Sequence, residues 1–385
     1  MRSRRTQGLV QSEIRAMTRA CNEVGGVNLG QGICDVPTPE LVKAAALDAV
    51  NTNRSVYTRY DGDAELRVAL AEKLQRFNGL TADPETEIVV TVGSAGAYAC
   101  SLMALFDPGD EILLFEPFYG YHLNAAQVAG VGTRFVRLEP PAFAIDFDAV
   151  RAALGPKTRA ILVNTPMNPC GKVFTRAELE GIAEICIERD LICLTDEVYE
   201  YLVYGDRAHV SMATIPGMAE RTVTMTSYSK TFSITGWRIG YAFAPAPMAE
   251  AIGLMTDLNY ICAPAPLQAA VARGIRELPD AYYTDMCAGY EAKRDRFCAA
   301  LTDVGLPPIV PDGAYYVLAD VSRLGEPTAK AAAMRILREA KVAGVPGSAF
   351  FADGGEHLVR FCYAKQGTDL DQAITNLRAW HAAGG

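Results

Sequence analysis

Between residues 87 and 244, apolar runs of strand length alternate with stretches of helical length, and no other feature limits the fold so tightly. The runs are "EIVVTV" (87–92), "EILLF" (111–115), "TRFVRL" (133–138), "RAILVN" (159–164), "LICLTD" (191–196), "TVTMTS" (222–227) and "GYAFA" (240–244). Near-continuous apolar strands are what a sheet covered on both faces requires. The intervening stretches supply the cover. "GSAGAYACSLMALF" suits a buried helix, and "TRAELEGIAEICIERD" (175–190) is amphipathic with Thr175 placed to cap it. The alternation predicts an α/β fold, with a large domain built on a mostly parallel central sheet flanked by helices.

Near residue 279 the rhythm changes. A long helical stretch, "DAYYTDMCAGYEAKRDRFCAALTDVG", is followed by "YYVLADV", a helix from about Thr328, and "HLVRFCYA". This reads as a smaller α+β domain. We expect a large domain over 46–278 and a small one formed by 1–45 and 279–385. The 385 residues, 50% hydrophobic, suffice for two packed cores. No internal repeat or low-complexity linker interrupts them.

The formal charge of −9 offers no broad basic field for phosphates, so nucleic acid is not an expected partner. "MRSRRTQGLVQSEIRAMTRA" lacks an uninterrupted apolar core, and we read no secretory signal there, only a solvated basic terminus. No apolar stretch reaches the roughly 18 residues of a membrane span. Ten cysteines without a C-x-x-C pair, most in apolar contexts, fit free thiols in a reducing cytoplasm. The four histidines are far apart and offer no helical metal-ligand pair, so no metal is expected.

In such sheets ligands gather at the carboxyl ends of the strands. Asp196, Glu197 and Tyr199 follow one strand, Asn168 follows another in "NTPMNPCGK", and Lys230 follows "TVTMTS". "VGSAG" joins a strand to a helix and could aim N–H groups at a phosphate. Each signal alone has a bland counterpart: a packing turn, a helix cap, a solvated lysine. Their order along one sheet edge carries the weight. "SYSKTFSITGWRIG" and "NTPMNPCG" resemble signatures of the pyridoxal-phosphate-dependent class I/II aminotransferases of fold type I. The resemblance runs from "NLGQGICDVPTPE" to "LVRFCYA". "LGQG", "FEPFYGYH" and "DEVYEYLVY" are most similar to the kynurenine/glutamine/methionine aminotransferase-like branch.

That resemblance implies roles residue by residue. Lys230 forms a Schiff base with pyridoxal 5'-phosphate and later shuttles a proton. Asp196 keeps the pyridine nitrogen protonated, Tyr199 and Asn168 bond the ring hydroxyl, and Tyr119 stacks on the ring. Ser227, Arg238 and the amides of Gly93, Ser94 and Ala95 hold the phosphate. Tyr57 reaches the phosphate of a neighbouring subunit, which implies a homodimer with shared sites. Arg360 clamps the substrate α-carboxylate bidentately, as lysine cannot, with Gly32 and Asn168 beside it.

The reaction expected is transfer of an amino group from an L-amino acid to a 2-oxo acid. Carbon–sulfur β-lyases of the same fold share these cofactor residues and are the first alternative. A non-catalytic cofactor-binding regulator is the second, and it would need a DNA-binding domain ahead of the resemblance, which begins near residue 28. The phosphate loop "GSAGA" carries no cation for a side-chain carboxylate. We therefore expect neutral or aromatic donors, with Tyr60 and Tyr121 as pocket walls and Arg59 as the first cation to consider otherwise.

Overall fold

The computed structural model describes residues 3–7, 9, 12–34 and 36–385, so part of the basic N-terminal run lies outside it. Its largest sheet contains the seven runs foreseen: β1 (Ile88–Val92), β2 (Glu111–Glu116), β3 (Gly132–Arg137), β4 (Thr158–Asn164), β5 (Ile192–Asp196), β6 (Thr222–Ser227) and β7 (Ile239–Phe243). Their order is β1-β7-β6-β5-β4-β2-β3. β7 is antiparallel to both neighbours and the remaining pairs are parallel. Both faces are covered, which explains why β4, β5 and β6 are almost wholly buried.

Local signals set the helix ends. Thr175 accepts from the Glu178 amide while Glu178 reaches back to the Thr175 amide, a reciprocal cap on Arg176–Glu188. The helix Gly93–Leu105 starts directly at the end of β1, because Gly93 takes φ +69°, open to glycine without strain.

A four-stranded sheet, in the order Val345–Pro346, Leu358–Cys362, Tyr316–Asp320, Pro308–Ile309, stands apart from the large one. It shares a core with the long helix Asp280–Asp303 and with α1 (Glu13–Val24) through Met17 and Cys21. Val198, Tyr199, Leu202 and Tyr204 from the turn after β5 enter that same core, joining the two bodies beside the sheet edge. The expected boundary at 45/46 falls inside the helix Glu40–Asn51, whose buried face lies in the core of the large sheet.

Among the described residues no helix is long and apolar enough to cross a membrane. All ten cysteines are free thiols, with Cys262 and Cys287 half-buried and the others buried.

Candidate active site

A cavity of about 570 Å³ opens where the ends of β4, β5 and β6 meet the turn between β1 and its helix. Register explains the convergence: Asn164 lies opposite Asp196, and Asp196 opposite Met225. Gly32, Ser94, Ala95, Tyr119, Asn168, Asp196, Tyr199, Ser227, Lys230 and Arg238 all line it. Gly93 and Arg360 adjoin it through Arg238 and Asn168.

The floor is held from several sides. The Asn164 side-chain amide donates to the Asp196 carbonyl at 3.0 Å, and its oxygen accepts from the Asn168 amide at 2.9 Å. One oxygen of Asp196 accepts from the Val198 amide at 3.3 Å, and the other lies 2.9 Å from His122 Nε2. His122 was not singled out from the sequence. It sits in the helix Gly120–Ala129 after β2, 74 residues from Asp196, and sheet order alone unites them. Its Nδ1 is buried without a partner among the described residues.

Lys230 Nζ donates to the Gly32 carbonyl at 3.1 Å. Burial pushes its amine below the ordinary lysine pKa, and the charge of Arg238 acts in the same direction. The Tyr199 hydroxyl donates to the Tyr316 hydroxyl at 3.1 Å, and burial raises its pKa well above the usual value. Glycine at 32 makes room for the Tyr316 ring, since a Cβ there would lie 1.9 Å from the Tyr316 hydroxyl and force it to move.

At the other end Arg238, with φ +59°, lays its guanidinium across the start of the Gly93 helix. It donates to the carbonyls of Thr235 at 2.9 Å and Val92 at 3.3 Å. A Cβ at Gly93 would come 2.2 Å from Arg238 Nη2, so the glycine makes room for this cradle. Ser229, to which the sequence assigned no role, lines the cavity with a buried hydroxyl that has no partner among the described residues. An arginine, two serines and helix amides, with no carboxylate among them, suit a phosphate dianion. The donor set thus fits a phosphorylated ring, with Asp196 placed for a basic ring nitrogen.

Arg360 is fully buried. It donates to Asn168 Oδ1 at 2.9 Å and to the Gly30 carbonyl at 2.6 Å, and its plane lies 4.3 Å from the Tyr316 ring centre. Its Nε has no partner among the described residues.

Two expectations land elsewhere. Tyr60 packs against Gly253, where an added Cβ would lie 2.5 Å from its ring, and does not line the cavity. Arg59 binds Asp61 and Glu85, so its charge is already met. Tyr57 is 76% exposed, in a groove that also contains Val92, Arg238 and Tyr260. Behind the site Glu197, Glu200 and His209 cluster, with Lys73 on Glu200 at 2.6 Å and His209 on Glu197 at 2.9 Å. Each of the three is thus engaged by a partner within the chain.

Fold and cavity together define a pyridoxal-phosphate enzyme. The model of the family "Aminotransferase class I and II" matches residues 24–377. The mouse protein named kynurenine–oxoglutarate transaminase 3 is 36% identical over 414 residues, 99% of this chain and 90% of its own. The probable N-succinyldiaminopimelate aminotransferase DapC of Mycobacterium tuberculosis is 38% identical over 373 residues, 94% of each chain. The solved N-succinyldiaminopimelate aminotransferase from Mycobacterium tuberculosis superposes with a TM-score of 0.95 at 37% identity, covering 99% of this chain and 100% of that one. The chain belongs to the class I and II aminotransferase family, and it is a pyridoxal-phosphate-dependent aminotransferase.

Proposed function

We propose that this chain transfers the amino group of a neutral or aromatic L-amino acid to a 2-oxo acid, with Lys230 as the residue that bonds the cofactor. The observation that carries this reading is a buried Lys230 in one cavity with Asp196 and Arg238, in surroundings that favour its neutral, nucleophilic form.

When bound, the cofactor supplies an electron sink for the pair left on the substrate's α-carbon. The chain's own residues do the rest. Asp196, fixed by Val198 and His122, holds a proton on the ring nitrogen. Asn168 and Tyr199 bond the ring hydroxyl, and Tyr119 covers one ring face. Ser227, Ser229, Arg238 and the amides of Gly93, Ser94 and Ala95 fix the phosphate. Arg360, already oriented by Asn168, takes the α-carboxylate. Lys230 Nζ then accepts the α-proton and holds it for return.

Tyr119 and Tyr121 stack at 5.2 Å with 25° between their planes, and Tyr121, Ile14 and Ile33 give the cavity an apolar wall. That wall supports donors with apolar or aromatic side chains. Borohydride reduction of the holoenzyme followed by peptide mapping is expected to place the cofactor on Lys230. An adduct on another lysine refutes the assignment. Pyruvate and ammonia released in place of a transferred amino group would favour the β-lyase alternative.

The working unit we propose is a homodimer, with the 46–278 region holding the cofactor and the remaining segments closing on the substrate. Val56 and Tyr57 stand exposed beside Arg238, and Leu254 and Leu258 are exposed on the helix that ends at Tyr260. An apolar surface beside the phosphate cradle is what a partner would cover, with Tyr57 reaching the partner's phosphate. Light scattering that gives a monomer, with full activity retained in Tyr57→Phe, would overturn this. Ten unpaired thiols support a cytoplasmic setting.

A further inference from the structure

Arg15 occupies the first turn of α1 (Glu13–Val24), and its side chain lines the catalytic cavity. The other cations there are engaged: Lys230 with Gly32, Arg238 with Thr235 and Val92, and Arg360 behind the wall with Asn168 and Gly30. No bond from the Arg15 guanidinium to a partner is found among the described residues. Its neighbour Glu13 is taken by Lys330. An exposed, unpaired guanidinium at the rim of a substrate cavity is therefore free to meet an anion that enters.

Its surroundings narrow what that anion is. Ile14 and Ile33 line the same cavity and have no polar group to pair with it, and among the described residues neither Tyr121 nor a carboxylate of the cavity is bonded to it. Arg15, Tyr121 and Ala125 are also shared with a second chamber of about 880 Å³, lined by Leu9, Met103, Phe106 and Arg5 among others. A side chain too long for the first cavity thus has room to pass Arg15. The α-carboxylate is assigned to Arg360, whose guanidinium lies behind Tyr316. A second, separate guanidinium matches a second carboxylate on the same molecule.

Resting on the amino-transfer reading above, we propose that Arg15 recognises the distal carboxylate of a dicarboxylic 2-oxo acid. The cavity then serves both half-reactions by different parts of its rim. The Tyr121 wall takes the donor's apolar or aromatic side chain, and Arg15 takes the acceptor's second charge. This assigns the role for which Arg59 was the sequence candidate.

The test compares probes that differ by one carboxylate, on holoenzyme of wild type, Arg15→Gln and Arg15→Lys. Glutarate and butyrate are titrated calorimetrically, and kcat/KM is measured for 2-oxoglutarate and 2-oxobutyrate. Losing a charge-assisted bond at an exposed site should cost about tenfold. Arg15→Gln is thus expected to raise the glutarate Kd about tenfold relative to the butyrate Kd. The kcat/KM ratio of 2-oxoglutarate to 2-oxobutyrate should fall by about the same factor, and Arg15→Lys should recover part of both. Equal effects on the mono- and dicarboxylates, or none on either, overturn the proposal. A wild-type protein that transfers no amino group refutes the catalytic reading instead, and the glutarate titration still decides the role of Arg15.

Discussion

The floor of the cavity and its rim are built by opposite means. At the floor, Asp196, His122, Asn164, Asn168 and Arg360 are buried, and each is tied to a neighbouring strand or loop by at least one hydrogen bond. At the rim, Tyr121 is 40% exposed, Ile33 37%, and Arg15 is unpaired among the described residues. Groups whose charge and direction must not vary are over-determined by the sheet. Groups at the rim, proposed to meet variable side chains, are left solvated, where changing them costs little stability.

The sharpest way to break this contrast is at the floor. Lys230→Ala should lower amino transfer by about 10⁴-fold or more, since both the covalent anchor and the proton carrier go. Stopped-flow absorbance of a single turnover reads this, and a loss under tenfold would place the proton carrier elsewhere. Asp196→Asn should follow at about 10²–10³-fold in kcat with the fold intact by circular dichroism, because a preorganised charge is lost. A near-normal rate would reduce Asp196 to a turn-forming residue bonded to the Val198 amide.

Arg360→Lys sits between floor and rim in expected effect. Its kcat/KM should drop about tenfold for every amino acid alike, because the clamp holds the part all substrates share. A change in side-chain preference in this variant would mean that Arg360 also senses the variable end. Tyr121→Ala, at the rim, should change kcat/KM a few-fold for aromatic donors and leave the thermal midpoint within about 2 °C. A collapse of stability there would erase the distinction between the two regions.

The smallest effect expected is thermodynamic. Burial lowers the Lys230 pKa below its ordinary 10.5. Between the lowered pKa and 10.5 the unfolded chain holds a proton that the folded chain has released, so stability of the cofactor-free protein rises with pH through that window. Lys230→Met removes the titration. Its Tm advantage over wild type should be largest below the window and shrink as pH approaches 10.5, and a pH-independent difference would mean the amine stays charged.

The strands were readable because two-faced burial writes each one as a solid apolar run; β5 was expected at 191–196 and occupies Ile192–Asp196. The long helix at Asp280, the helix start near Thr328 and the Thr175 cap were legible for equally local reasons. Site residues that follow strands, such as Asp196 and Lys230, stood in recognisable motifs. His122 and Asn164 stood inside "FEPFYGYH" and "NTPMNPCG" but drew no role there, since their contacts depend on which strand lies beside which. Ser229 gave no separate signal inside its motif. Arg59 misled although the corrective was two residues away: Asp61 in "RYDG" takes its guanidinium. Arg15 had no signal at all, because nothing in α1 foretells that its first turn faces a sheet edge far along the chain.

α1 is moored by Met17 and Cys21 in the core it shares with the smaller sheet, yet it lends its opening turn to a cavity assembled by the larger one. The role proposed for Arg15 makes that turn a cassette, separable from the chemistry beneath it. On that role, residues 12–15 can be exchanged, and the substrates taken changed with them, without disturbing the strand ends at the cavity floor. A graft of those four residues from a relative of different preference should carry that preference with it. A graft that altered kcat for all substrates equally would show that the helix and the sheet edge cannot evolve apart.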